Sequence, residues 1–243
     1  MKTRRKTQPV TKADKLKGQK LISAFHTINK KMQVDVEEGC SSNGCSELNE
    51  LGGLRVYQRA SIAGSKVFNS SKWLIRSLGK IRSERDGKLR LLDVGALCKS
   101  YESTKWIDAT YIDLLPVLPS IQKANILNYQ SNVPFDVICL SLVLNFEGCP
   151  MKRFKIIQNC KLLLNNYGYC YIVLPKPAII ESRYINEQEF LDCLRSLKFK
   201  CVDKHYSPKL AFFLLQLDDN MDGFVFEGFS KHKGKNNFRI KPC

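Results

Sequence analysis

The residues best placed to do chemistry are a glycine and a carboxylate that follow two strand-like runs. Gly95 ends the stretch "LRLLDVG", and Asp113 ends "WIDATYID", 18 residues after Gly95. Glycine lets a backbone turn tightly beside a ligand, where a side chain would clash. A carboxylate can accept hydrogen bonds from both hydroxyls of a ribose. The pair predicts a nucleoside site; an ordinary turn at Gly95, and Asp108 as the ribose ligand, stay open as alternatives.

The residues after Gly95 indicate which nucleoside. They read Ala-Leu-Cys, so the further glycines of a dinucleotide loop are missing. A dinucleotide needs those glycines because its pyrophosphate must approach a helix N-terminus. S-adenosylmethionine has no phosphate and tolerates larger residues, so it is the favoured cofactor over a nicotinamide dinucleotide. Asp93 is predicted to meet its methionine amino group or to orient the loop, with a turn-capping role as the alternative.

An alternating fold is needed to bring these residues together. Apolar runs predict strands at 89–94, 106–114, 124–127, 135–141, 169–174, 199–203 and 210–217. Helices are predicted at 15–30, at 51–80 with Gly79 as a possible C-cap, at 150–168 closed by Gly168, and at 186–199, where Asn186 and Glu189 resemble a capping box. This order predicts an α/β, Rossmann-like fold: a mostly parallel seven-stranded sheet with helices on both faces, with ligands bound beyond the carboxyl ends of its strands.

The charge of the chain points to a polyanionic partner. The formal net charge is +16, and residues 1–31 contain ten Lys or Arg against Asp14, which is +9 of that total. Binding of Lys and Arg to phosphates releases counterions, so nucleic acid is the leading partner class. Solvated basic termini are the alternative. The predicted organisation is a basic arm with an acidic linker at 1–50, a catalytic domain at 51–217 and a basic tail at 218–243.

The cysteines and apolar runs exclude several other classes. Ten cysteines are scattered without a C-x-x-C pair, so we expect reduced thiols in an intracellular protein and no metal site. The start "MKTRRK" leads into no apolar segment, and the longest apolar run, "VICLSLVLNF", is too short to cross a bilayer. We therefore expect a soluble protein without a membrane partner, and a monomer.

Several segments together carry a resemblance to a known family. They are "LGGLRVYQRASIAGS", "LLDVGAL", "YIDL", "FDVICLSLVLNF", "GYCYIVLP" and "SRY", from Leu51 to Leu217, with "NNFRI" near the C-terminus. The chain resembles the fungal large-subunit (25S) ribosomal RNA adenine-N1 methyltransferases, which act in the nucleolus on ribosomal RNA or the pre-ribosome. Some animal relatives look like non-catalytic S-adenosylmethionine sensors, which is the alternative function.

The resemblance also implies roles for individual residues. Gly95 matches the glycine that contacts S-adenosylmethionine, and Asp113 matches the acidic residue after the second strand. Asn128 departs from the family, which tends to have an acidic residue at this position, and "LPKPAI" replaces a segment with fewer prolines. The interval between the first two strands has little room for a full helix, as in the family, which explains the missing glycines.

The segment from Ser141 to Phe146 lies where proteins of this fold hold the target base. We expect Ser141 to contact the cofactor, Asn145 to hydrogen-bond the adenine edge and Phe146 to stack on the base. Asn145 as the cap of the next helix is the alternative. Arg183 and Tyr184 are weaker candidates for phosphate contact and base stacking.

Overall fold

The computed structural model describes residues 70–82 and 87–242, together with Lys20, Ala24 and Thr27, which are helical. Residue contacts divide the chain into two compact units, 1–68 and 69–243. The remainder of the helix predicted at 15–30, and residues 51–69 of the helix predicted at 51–80, lie outside the described residues. The domain boundaries predicted at 50 and 217 stay predictions.

The described residues form one seven-stranded sheet in the order β3-β2-β1-β4-β5-β7-β6. Its strands are β1 (Leu89–Val94), β2 (Ile107–Asp113), β3 (Gln122–Lys123), β4 (Phe135–Ser141), β5 (Leu164–Pro175), β6 (Phe199–Tyr206) and β7 (Leu210–Leu217). The helices are α1 (Ser71–Ile81), α2 (Pro150–Leu163), α3 (Pro177–Ile180) and α4 (Glu187–Ser196). Strands β1 to β5 pair in parallel, and β7 runs antiparallel to β5 and β6.

Two apolar clusters cover the two faces of this sheet. On one face, Leu74 and Leu78 of α1 pack with Leu91 of β1. On the other face, α2 and α4 pack against alternate residues of the same strands, such as Leu92. Burial on both faces explains why the central strands read as continuous apolar runs. The predicted fold class is confirmed.

Several predicted boundaries are wrong, and three of them have local reasons. The strand predicted at 124–127 is only Gln122–Lys123, because the Asn125 side chain accepts a hydrogen bond from the Leu127 N–H and starts a 3-10 turn at Ile126–Asn128. Helix α2 ends at Leu163, and Gly168 lies within β5, where a Cβ would come 2.8 Å from the Asn165 carbonyl oxygen. Helix α1 continues past Gly79 to Ile81.

Two other predicted details, at the start of α4 and between β1 and β2, are confirmed. Asn186 and Glu189 form a reciprocal capping box at the start of α4. Residues 95–106, between β1 and β2, contain turns and no helix. None of the helices in the described part of the chain is long and apolar enough to cross a membrane.

The C-terminal segment packs against the sheet domain. Phe238 and Ile240 are buried in the apolar cluster that contains α2. Asn236 forms a backbone bridge with Ser182. At Gly234 a Cβ would lie 2.2 Å from the Glu181 carbonyl oxygen, so the two segments approach too closely for any side chain at this position. Residues 234–240 therefore lie in close contact with α2 and with residues 181 and 182.

Candidate functional site

The strand register places three predicted residues in one row at the carboxyl edge of the sheet. Asp93 pairs with Tyr111 of β2 and with Cys139 of β4. Two residues further along each strand are Gly95, Asp113 and Ser141. Neighbouring strands lie about 4.8 Å apart, so this row is compact enough for one small ligand to span. Three residues that the sequence predicts to contact the cofactor are therefore neighbours at this edge of the sheet.

Gly95 holds a backbone conformation that other residues rarely adopt. Its φ is +73°, and its N–H donates to the Ile112 carbonyl at 2.8 Å. A Cβ at this position would come 3.1 Å from Cγ2 of Val143, in the loop after β4. A side chain at position 95 would therefore be strained and would press on that loop, which agrees with the predicted need for glycine.

Asp113 is fixed by the turn that follows β2. Its Oδ1 accepts a hydrogen bond from the Leu115 N–H at 2.7 Å, and its carbonyl oxygen accepts one from the Ala124 N–H at 3.0 Å. Partial burial raises the pKa of this carboxyl, although the Leu115 N–H acts in the opposite direction. Asp108, the alternative, lies early in β2 and is exposed to solvent. The geometry thus places Asp113, and not Asp108, at the strand end.

Asp93 is buried below this row. Burial raises the pKa of its carboxyl from 3.8 to about 7, and no described residue donates a hydrogen bond to that carboxylate. Its surroundings include Tyr101, which is buried and whose hydroxyl lies 3.4 Å from Sγ of Cys139. The Tyr101 N–H donates to the Tyr111 hydroxyl at 3.1 Å. Through these two contacts Tyr101 holds the 95–106 loop against β2 and β4. The Asp93 carboxylate can still accept hydrogen bonds from a cationic group of a ligand.

The loop after β4 leaves the sheet through a strained residue. Leu142 has a φ of +59°, while its N–H still donates to the Val173 carbonyl at 2.9 Å. Positive φ is uncommon for a bulky residue and is found disproportionately at functional sites. The Ser141 Oγ lies 2.8 Å from the Ser70 Oγ, just before this bend. We call residues 142–149 the β4–α2 loop.

Asn145 lies in this loop and does not cap a helix. The N-cap of α2 is Cys149, which makes no side-chain capping bond. The Oδ1 atom of Asn145 is buried and has no hydrogen-bond partner among the described residues. Phe146 is partly exposed, and its N–H donates to the Val143 carbonyl at 3.0 Å. The capping alternative is therefore wrong, and the amide oxygen is a candidate acceptor for a ligand group.

Arg153 of α2 stabilises the β4–α2 loop through hydrogen bonds. The sequence did not single it out as a functional residue. Its Nε donates to the carbonyls of Leu144 at 3.0 Å and Glu147 at 2.6 Å, and its Nη1 donates to the Arg239 carbonyl at 2.6 Å. Its guanidinium lies 4.6 Å from the centre of the Phe238 ring. Burial lowers the pKa of this side chain to about 10. The signal in the sequence was its spacing, since it precedes Ile156 and Ile157 by three and four residues on the buried face.

Arg183 and Tyr184 contact the C-terminal segment. The Arg183 Nε donates to the Gly234 carbonyl at 3.0 Å, and its Nη1 donates to Oδ1 of Asn237 at 3.1 Å. The Arg239 guanidinium lies 5.3 Å from the centre of the Tyr184 ring. These contacts join "SRY" to residues 234–239, and they favour a structural role for Arg183 over the predicted phosphate contact.

The described residues contain no cluster of His, Cys, Asp or Glu that could hold a metal ion. The cysteines in that part of the chain are free thiols.

The family of this chain follows from comparisons with known proteins. Residues 43–240 match the family model described as "25S rRNA (adenine(2142)-N(1))-methyltransferase, Bmt2". A Schizosaccharomyces pombe protein named 25S rRNA adenine-N(1) methyltransferase is 29% identical, over 96% of this chain and 94% of its own length. A Saccharomyces cerevisiae protein named 25S rRNA (adenine(2142)-N(1))-methyltransferase is also 29% identical, but over 71% of this chain and 53% of its own length.

A solved structure supports the fold independently. The crystal structure of TnmH superimposes with a TM-score of 0.53 at 11% identity, over 81% of this chain and 70% of that one. At this level of identity the likeness concerns the fold alone. The matched segment 43–240 contains the row at the carboxyl edge, the β4–α2 loop and the C-terminal segment that Arg153 contacts. The chain belongs to the Bmt2 family of 25S rRNA adenine-N1 methyltransferases.

Proposed function

We propose that this protein transfers a methyl group from S-adenosylmethionine to N1 of an adenine in large-subunit ribosomal RNA. The observation that carries the proposal is the row of Gly95, Asp113 and Ser141 within a segment that matches the Bmt2 family. The net charge of +16 suits a nucleic-acid substrate. We expect the protein to act in the nucleolus, on ribosomal RNA or the pre-ribosome.

The residues at the sheet edge fit the cofactor. Asp113, oriented by the Leu115 N–H, would accept hydrogen bonds from the ribose hydroxyls. Asp93, buried without a donor among the described residues, would pair with the methionine ammonium group. Gly95 would keep the backbone close to the ligand, because its Cβ-free turn faces Val143 across a narrow gap. The bound cofactor supplies an electrophilic methyl group on a sulfonium.

The β4–α2 loop would position the target base. Adenine N1 is unprotonated near neutral pH, so the reaction needs orientation and exclusion of water more than a strong base. The unpartnered Oδ1 of Asn145 can accept a hydrogen bond from the exocyclic amino group of adenine. That group becomes more acidic as positive charge develops on the ring, so the bond strengthens in the transition state.

The target adenine must be unpaired or flipped out before it reacts. N1 lies on the pairing edge, so a paired adenine would have to flip out before it could react. Phe146 is partly exposed beside Asn145 and would stack on the extruded base. Arg153 holds the carbonyls on both sides of these two residues and would keep the loop ready for the base.

The test is transfer of label from tritiated S-adenosylmethionine to ribosomal RNA that lacks the modification. We expect labelling of the large-subunit RNA and a new reverse-transcription stop, because a methyl group on the pairing edge blocks copying. RNA that already has the modification is the control. Tight cofactor binding without labelling would overturn the proposal and support the sensor alternative.

A further inference from the structure

A groove beside α2 is not used by the site described above. It has a volume of about 510 Å³ and lies between α2 and the 3-10 turn Ile126–Asn128. Its polar lining consists of Asn128, Lys152, Lys155, Gln158 and Asn159, and its apolar lining consists of Leu127 and Leu162. The α2 residues recur every three or four positions, so they share one face of the helix.

The two lysines of this groove have no ion-pair partner among the described residues, and both are exposed. Helix α2 contains no Asp or Glu between Pro150 and Leu163. Lys161, on the same helix but outside the groove, does have a partner, Asp219 at 3.6 Å. The positive potential of the groove is therefore uncompensated by its own helix.

The remaining lining suits a nucleic-acid strand. The Asn159 Nδ2 donates to the Ile126 carbonyl, which ties α2 to the 3-10 turn and fixes the width of the groove. Asn128 and Gln158 present amides that can both donate and accept hydrogen bonds at base or ribose edges. Leu162 is 79% exposed and offers an apolar surface to a base. Lysines for phosphates and amides for base or ribose edges are among the elements of single-strand recognition.

One end of the groove lies next to the β4–α2 loop, where the target adenine would bind. Lys152 lies in the first turn of α2, directly after the β4–α2 loop. With a rise of 1.5 Å per residue, the face from Lys152 to Leu162 extends about 15 Å away from that loop. A strand whose adenine enters the loop would therefore continue along this face.

We propose that this groove binds the single-stranded RNA that flanks the target adenine, with Lys152 and Lys155 on its phosphates. The inference rests on the proposed function and adds the path of the substrate to it. An acidic protein segment would satisfy the lysines as well, but it would leave the amides and Leu162 without a matching partner.

The experiment compares two double variants of the full chain, each of which removes two positive charges. Lys152→Gln/Lys155→Gln changes the groove. Lys200→Gln/Lys209→Gln is the control, because these exposed lysines lie on β6 and the β6–β7 turn, at the far edge of the sheet. The probe is a fluorescent single-stranded RNA with the sequence around the methylated adenine, and its Kd is measured by anisotropy across a salt series.

We expect the groove variant to bind the RNA about tenfold more weakly at low salt and to lower the slope of log K against log salt by about 1.4, for two lost phosphate contacts. S-adenosylmethionine affinity and Tm should equal those of the control variant. An RNA affinity and slope equal to the control would overturn the inference, even if the parent methylates RNA normally. Unchanged RNA binding with loss of a polyglutamate probe would overturn it in favour of an acidic protein partner. Absence of methylation by the parent would count against the proposed function itself.

Discussion

At the scale of single residues, the two carboxylates of the site are held in different ways. Asp113 lies at the end of β2 and is oriented by the Leu115 N–H. Asp93 lies within β1, is buried, and has no donor among the described residues. The Asp113 carboxylate is thus already oriented to accept hydrogen bonds from a neutral ligand group. The buried Asp93 carboxylate would be stabilised most by a cationic ligand group. Their predicted contributions can be measured separately.

Replacing Asp113 tests the ribose contact. We expect Asp113→Asn to bind S-adenosylmethionine roughly ten- to a hundredfold more weakly, because a charge-assisted hydrogen bond contributes about 1.5–3 kcal/mol. Isothermal titration calorimetry gives the Kd. Asp108→Asn is the matched control, since Asp108 is on the same strand but exposed, and it should leave the Kd unchanged. Equal affinities of the parent and Asp113→Asn would refute the assignment.

Replacing Asp93 tests the effect of burial on stability. Its folded pKa of about 7 exceeds the ordinary 3.8. As pH rises through this window, the unfolded chain has already released the proton while the folded protein retains it, so the free energy of unfolding falls until about pH 7. At pH 8, ligand-free Asp93→Asn should therefore be more stable than the parent by roughly 2–4 kcal/mol, and at pH 4 nearly equal. Urea unfolding at both pH values measures this; a parent that gains stability relative to the variant on going to pH 8 would contradict it.

Asn145 is expected to affect catalysis alone. Asn145→Ala should lower methylation at least about a hundredfold, by analogy with the loss of one preorganised transition-state hydrogen bond. Its Oδ1 has no partner among the described residues, so the free energy of unfolding should change little. The Kd for S-adenosylmethionine should also be unchanged. The assignment fails if cofactor binding is lost together with activity, or if activity survives.

At the scale of elements, the β4–α2 loop is set by contacts that are distant in sequence. Arg153 of α2 joins the loop carbonyls to the Arg239 carbonyl, 86 positions away. Leu142 adopts positive φ where the loop begins. A strained bend at one end and a buried guanidinium under the middle restrict the loop to few conformations. Loop order, and not only the identity of its side chains, should therefore govern the rate.

Removing Arg153 should loosen the loop. Arg153→Met keeps an apolar stem over Phe238 but leaves the carbonyls of Leu144, Glu147 and Arg239 without this donor. We expect a loss of roughly 2–4 kcal/mol in the free energy of unfolding.

Its effect on catalysis is measured well below the Tm. There kcat should fall while the Kd for S-adenosylmethionine is unchanged, and Arg153→Lys should recover part of the kcat. The control is Arg90→Met. Arg90 also stacks on a phenylalanine and donates to a carbonyl, but it lies near the start of β1, away from the carboxyl ends of the strands. A kcat for Arg153→Met equal to that of Arg90→Met would exclude a positioning role.

The sequence predicts correctly those elements that depend on residues close together in the chain. Strands β1, β4 and β7 have the predicted bounds because each is a continuous apolar run. Gly95 and Asp113 follow from the ends of such runs. In contrast, β3 is the exposed pair Gln122–Lys123, which is a strand only because β2 lies beside it. The role of Arg153 depends on residue 239, and no short-range pattern contains that contact.

At the scale of the whole molecule, the sheet domain and the basic segment 1–31 contribute different properties. The sheet domain holds the carboxylates in fixed positions, whereas residues 1–31 contribute +9 of the net charge of +16. Binding through such a charge surplus depends on salt and little on sequence. Affinity for RNA and choice of the adenine should therefore be separable by truncation.

Deleting residues 1–31 tests this separation. The shortened chain should bind ribosomal RNA more weakly, with a smaller dependence of log K on log salt, because fewer counterions are released. The Kd for S-adenosylmethionine and the position of the reverse-transcription stop should stay the same. A chain in which all ten Lys and Arg of the segment are replaced by Gln is the matched control for length, and it should behave like the deletion. An unchanged salt dependence would show that this segment does not contact RNA.

The bridge from Arg153 to the backbone of residue 239 also has a consequence for biosynthesis. During translation strands β1 to β5 and the β4–α2 loop emerge from the ribosome before residues 234–240. Arg153 can therefore donate to the carbonyl of residue 239 only after residues 234–240 have been made and have packed against residues 181–184. A nascent or prematurely terminated polypeptide would hold the cofactor before it could present a well-ordered platform to adenine, so competence to modify RNA would report that synthesis had passed this point.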